Sequence, residues 1–107
     1  MDTTIKIIPW NGIKISFGNK KSINYLSFKK EELETICGQL NQEADKRKNR
    51  SNIARIKRIA HVAHLLTIYH EPKDIMKIVK IASLPIFISY LKIIDYEIQR
   101  LRQKTRQ

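Results

Sequence analysis

Two prolines divide the second half of this chain and decide what it can fold into. An apolar-periodic run begins near Arg55 and reaches His70, breaks at Glu71-Pro72, resumes briefly to Ala82, breaks again at Ser83-Leu84-Pro85, and then runs on to Arg102. The residue before a proline is pushed out of the α region and proline supplies no N–H, so Glu71-Pro72 ends a helix, whereas Pro85 is tolerated in the first turn of one. Three helices joined by tight turns follow, over about 52–70, 73–81 and 84–104. The first carries a stripe of Ile53, Ile56, Ile59, Ala60, Ala63 and Leu66, widened by Val62, Leu65 and Ile68. The short one turns Ile75, Ile78 and Val79 inward. The last keeps Leu84, Phe87, Leu91, Ile94, Ile98 and Leu101 on one face, with Ile86 and Ile93 at the border of that stripe.

Upstream, Asn11-Gly12 lies between two alternating apolar stretches, the signature of a two-residue type I′ turn. This predicts a β-hairpin over about 4–18 in which Trp10 pairs with Ile13, Ile8 with Ile15 and Lys6 with Phe17, leaving Pro9 opposite Lys14. Asn19 to Ser27 reads as a connector. Ser27 then caps an earlier helix of about 28–44 through Leu33, Ile36, Cys37 and Leu40, with Glu31, Glu32 and Glu34 at its positive end. A break is expected near Asn49 to Ser51, where Ser51 can cap the next helix. The fold class is therefore mainly α with an N-terminal hairpin, in one domain spanning 1–107.

Charge decides the class of partner. Lys+Arg 21 against Asp+Glu 10 gives a formal net charge of +11, which attracts polyanions, nucleic acid before an anionic membrane. No apolar run reaches the length of a membrane span, the first residues do not read as a secretory signal, and the lone Cys37 reads as a small hydrophobe. Together these point to an intracellular, cytoplasmic protein that binds no membrane. From Lys46 to His70 there are seven basic residues and no acid: Lys46, Arg47, Lys48, Arg50, Arg55, Lys57 and Arg58. Positive charge with reach is what phosphate contacts require, whatever the base sequence.

The stretch from Asp74 through Ser83 to Leu91 resembles the helix, turn and recognition-helix core of the helix-turn-helix and winged-helix DNA-binding superfamily, with Ile81 as the apolar residue that locks the turn. The resemblance covers only this part of the chain. No glycine marks the turn and no hairpin follows the last helix as a wing. It implies a helix-turn-helix three-helix core whose last helix turns Ser89, Lys92, Tyr96 and Arg100 toward a groove. The tail from Arg100 to Gln107 adds four basic residues and no acid.

Other chemistry finds little support. His61 and His64 lie three apart with His70 six further on, but no set of ligands surrounds them, so neither metal nor cofactor is expected. No nucleophile sits beside a base, no glycine-rich phosphate loop exists, and Trp10, Tyr25 and Tyr96 read as core aromatics. The chain is thus expected to be a non-enzymatic, nucleic-acid-binding homodimer, DNA before RNA. Its expected role is transcription regulation or an accessory function in a prokaryotic or viral setting. The alternatives are a helical subunit of an RNA or ribonucleoprotein complex, and a protein-interaction module using Glu31, Glu32 and Glu34.

Overall fold

The computed structural model describes residues 3–105: three antiparallel strands and then four helices. They are β1 (Thr4–Pro9), β2 (Ile13–Asn19), β3 (Ser22–Phe28), α1 (Lys30–Asp45), α2 (Arg50–Leu66), α3 (Pro72–Val79) and α4 (Leu84–Thr105). The class is mainly α with an N-terminal β region. Among the described residues no helix is long and apolar enough to cross a membrane.

The sheet corrects the expected hairpin in two respects. Its first turn holds three residues, Trp10, Asn11 and Gly12, closed by the Trp10 N–H donating to the Gly12 carbonyl at 2.9 Å, so Pro9 rather than Trp10 faces Ile13. Ile7 then pairs with Ile15 and Ile5 with Phe17, one residue out of the expected register. A one-residue slip sends every side chain of a strand to the opposite face. Ile7, Ile13, Ile15 and Phe17 are buried, while Ile8 and Trp10, expected in the core, are 54% and 52% exposed. Lys6 explains the preference, since the expected register would have turned its ammonium toward the core opposite Phe17. Gly12, at φ +133°, lies against the Phe28 and Lys29 backbone, where a Cβ would meet the Phe28 carbonyl oxygen at 2.2 Å.

The second correction is β3, which occupies most of the expected connector and pairs with β2 from Asn19↔Ser22 to Ile13↔Phe28. The turn at Lys20-Lys21 is held by the Asn19 carboxamide, whose Oδ1 accepts from the N–H groups of Lys21 (2.9 Å) and Ser22 (3.0 Å). The strand order is β1-β2-β3. Ile5 and Ile7 of β1, Ile13, Ile15 and Phe17 of β2, and Leu26 and Phe28 of β3 face the helices. The other face is left to solvent.

The helices start and stop where side chains satisfy their ends. Glu32 Oε1 accepts from the Lys29 N–H at the head of α1, so Lys29 and not Ser27 stands at the cap. The break between α1 and α2 spans residues 46–49, reaching the expected Asn49 to Ser51 only at its end, and Asn49 rather than Ser51 makes the cap, its Oδ1 accepting from the N–H groups of Ser51 (2.9 Å) and Asn52 (3.3 Å). α2 closes at Leu66, four residues short of the expected end, and leaves Ile68 outside the core at 53% exposure. α3 begins on Pro72 itself and turns Ile75 and Val79 inward, while Ile78, expected beside them, is 41% exposed. No glycine follows α3 because Lys80 takes the left-handed conformation (φ 59°, ψ 46°), and the Ile81 N–H reaches back to the Met76 carbonyl at 2.9 Å. Ile81, like Leu84 and Ile93, is partly buried against the core.

α4 ties the molecule together. Phe87, Leu91, Ile94 and Ile98 are fully buried, and Ile88 and Tyr90 widen the buried stripe. At its far end Arg102 Nε donates to Glu32 Oε2 at 2.6 Å, and Nη2 donates both to Glu32 Oε1 and to the Ser27 carbonyl at 2.8 Å. One guanidinium thus joins α4, α1 and the end of β3. The bond to Arg102 holds the Glu32 carboxyl below the usual carboxylate range and raises the guanidinium above its own.

Candidate nucleic-acid interface

The basic residues from 46 to 58 are all exposed, but they do not form one patch. Lys46, Arg47 and Lys48 lie between α1 and α2, and Arg50 begins α2. The first turn of α2 holds no acid, so the positive end of its helix dipole adds to the same field. At 100° per residue, Arg50 and Lys57 fall on one line of α2, while Arg55 and Arg58 fall on another. Lys57 lines a shallow trough with His61 and His64 of α2 and Cys37 and Asn41 of α1. In that trough Asn41 Nδ2 lies 3.7 Å from the Cys37 sulfur, and burial pushes the thiol pKa up. Among the described residues no three His, Cys, Asp or Glu side chains form a possible metal-ligand group.

The expected groove-facing residues do share a strip of α4, at i, i+3, i+7 and i+11. Ser89 is half-buried and its hydroxyl donates to the Ile86 carbonyl at 2.6 Å, the i−3 bond that holds a serine to its own helix. Lys92 is exposed, with its ammonium 5.9 Å from the centre of the Phe17 ring. Tyr96 is 62% exposed, and Arg100 lies 5.9 Å from its ring centre and 3.6 Å from Glu97. One link joins the two expected sets. Arg47 and Arg100, with Lys104, line a groove between the C-terminal ends of α1 and α4, tempered by Glu43 and Glu97. Arg106 of the basic tail lies outside the described residues.

Ion pairing separates the cations further. Arg47 is held by Glu43 at 2.7 Å, whereas Lys46, Lys48, Arg50, Arg55, Lys57 and Arg58 make no ion pair among the described residues. Glu32, expected on an acidic docking face, is spent on Arg102.

The sequence reading missed the outer face of the sheet. Outward there stand Lys6 and Ile8 from β1, Lys14 and Ser16 from β2, and Ile23 and Tyr25 from β3, with Trp10 at the turn. Trp10, Tyr25 and Tyr96, read as core aromatics, are all at least half exposed, Tyr25 the most at 75%. The Lys14 ammonium rests 4.1 Å from the centre of the Trp10 ring. The signal was present in Lys6, whose charge forbids the register that buries Trp10. No family model, curated protein or solved structure matches the chain, so geometry and charge carry the reading of these surfaces.

Proposed function

We propose that the protein is a non-enzymatic, nucleic-acid-binding factor that grips the phosphates of duplex DNA through the segment from Lys46 to Arg58. In this reading α3 and α4 form a helix-turn-helix, with Lys92 and Arg100 on the duplex side and a regulatory or accessory role. The observation that carries it is the run of exposed cations from Lys46 to Arg58, of which Arg47 alone among the described residues has an acidic partner. Two edge strands, β1 and β3, offer a route to a homodimer by strand pairing.

A mobility-shift series on random duplex DNA at rising salt tests this. Each phosphate contact contributes roughly 0.9 to the slope of log affinity against log salt. Arg55→Glu with Arg58→Glu should weaken binding to all duplexes alike and lower that slope by about 2. Unchanged affinity and slope would remove α2 from the interface. A second reading, structured RNA held by its backbone alone, is favoured by the commitment of Ser89 to its own helix, which leaves α4 short of base-reading groups. Competition between duplex DNA and structured RNA of equal length decides between them.

A further inference from the structure

From Thr3 to Lys30 the chain contains six lysines (Lys6, Lys14, Lys20, Lys21, Lys29 and Lys30) and no acid. Four of its large apolar or aromatic side chains, Ile8, Trp10, Ile23 and Tyr25, are half exposed or more; the strand registers put Ile8, Ile23 and Tyr25 on the sheet face turned away from the helices, and the Lys14 ammonium of that face lies over the ring of Trp10 at the turn. That face is ordered in rows across the strands: Ile8, Lys14 and Ser27; then Lys6, Ser16 and Tyr25; then Thr4, Gly18 and Ile23. Successive rows are about 6.7 Å apart and neighbouring strands about 4.8 Å. The middle strand contributes only small residues, Ser16 and Gly18, to the last two rows. A trough of about 240 Å³ therefore runs there, with Lys6 on one wall, Tyr25 and Ile23 on the other, and Lys20 at its end. Its floor is fixed, since Gly18 sits at φ +141° where a Cβ would meet the Ser22 carbonyl oxygen at 2.0 Å.

We propose that this outer sheet face is a second nucleic-acid site, one that takes an unpaired strand by stacking bases on Tyr25 and Trp10 and holding phosphates with Lys6, Lys14 and Lys20. Stacking accepts any base because each has a π face, and alternation of ring and cation is what an extended strand presents in return. Paired bases keep their faces stacked inside the duplex, so this site discriminates against double-stranded nucleic acid. Two other occupants fit worse. A membrane-docking face gathers its apolar residues and keeps lysines on the opposite side or rim, whereas Lys6 and Lys14 stand between Ile8 and the aromatic rings. A second copy laid face to face would oppose two lysine-rich, acid-free surfaces.

Trp10 is the only tryptophan, so its emission reports on this face in the full-length protein. Titration with a short oligothymidylate should quench it, matched deoxyuridylate and ribouridylate arms showing whether the sugar matters, and blunt duplex of equal length should not. Tyr25→Ala, at a position 75% exposed, should fold normally by circular dichroism and lose roughly 5- to 150-fold in affinity for the oligothymidylate. Lys6→Glu should weaken binding and flatten its salt dependence, while Arg55→Glu with Arg58→Glu should leave it within about twofold, because those residues stand on α2. Full affinity in Tyr25→Ala, or a loss confined to the α2 variant, overturns the sheet site and leaves the helical interface standing. Quenching by oligothymidylate without any duplex shift would instead sink the helical interface alone. A blue shift with phosphatidylserine vesicles and no response to oligothymidylate assigns the face to a membrane and overturns the proposal.

Discussion

Replacing Arg102 with methionine keeps the unbranched apolar stem of the side chain and removes the guanidinium with its charge, and the geometry sets the cost. Two charge-assisted bonds to Glu32 are lost, and with them the bond from Nη2 to the Ser27 carbonyl. Hydrogen bonds to charged groups contribute about 1.5–3 kcal/mol when well buried, while exposed ion pairs contribute about 0–1 kcal/mol. With the Arg102 side chain 36% exposed and that of Glu32 14%, the clasp lies between these limits. Truncation should cost about 2 kcal/mol, which for a domain of this size lowers the melting temperature by about 8 °C. Urea and thermal unfolding followed by circular dichroism at neutral pH measure both. Glu32→Gln and the double variant complete a cycle whose coupling should reach about 1 kcal/mol.

The clasp also fixes a pH dependence. Arg102 holds the Glu32 carboxyl below its unfolded value, so its stabilisation is present above the unfolded pKa of about 4.3 and is lost as pH falls through the lower folded value. The gap between the parent protein and Arg102→Met should therefore be constant from neutral pH to about pH 5 and narrow below it. A variant within about 0.5 kcal/mol of the parent, or a cycle that is additive, would refute the clasp as a structural tie.

Two other substitutions test the backbone and the register. Lys80→Gly at the left-handed end of α3 relieves a conformation that costs a side-chain-bearing residue about 1 kcal/mol, so it should raise the melting temperature by about 4 °C. A fall would mean that the lysine side chain supports the turn. For the sheet, Ile7→Ala should cost about 3 kcal/mol in urea unfolding and Ile8→Ala less than about 1 kcal/mol; the reverse order would restore the two-residue turn.

The helical half was legible because its signals are local. Pro72 and Pro85 bracket α3 and open α4, and the stripe of Phe87, Leu91, Ile94 and Ile98 has the helix period and is buried. The sheet was legible only in part. In β1 both Ile7 and Ile8 are apolar, so alternation alone fits either face, and the added loop residue Trp10 decides the phase. β3 escaped for a related reason: Ile23 and Tyr25 point outward while Leu26 and Phe28 point inward, so the strand shows no polar face to count. Misplacing β1 hid the outer surface, because it sent Ile8 and Trp10 to the core. Among the expected interface residues, position was readable from charge and period. The bond from Ser89 to Ile86 and the pairing of Arg47 with Glu43 were not, because they depend on rotamers chosen after folding.

The acids show which cations are structural. Every Asp and Glu from residue 3 to 105 lies in α1, α3 or α4 or at the α3 cap, and four of these nine engage a side-chain partner: Glu43 with Arg47, Glu97 with Arg100, Glu32 with Arg102 and Asp95 with Gln99. The sheet and α2 contain none. A charge excess kept for solubility would gain from acids interspersed among the bases, since like charges held close oppose the compact state. Here the repulsion is concentrated on two elements, Lys6, Lys14, Lys20 and Lys21 on one and Arg50, Arg55, Lys57 and Arg58 on the other. Exposed Trp and Tyr side chains accompany the first set, which suits unpaired bases; α2 exposes cations with no Phe, Tyr or Trp, only the smaller imidazoles of His61 and His64, which suits phosphates more than free bases. If both proposed surfaces bind nucleic acid, this difference in side-chain chemistry, more than total charge, sets which form each prefers.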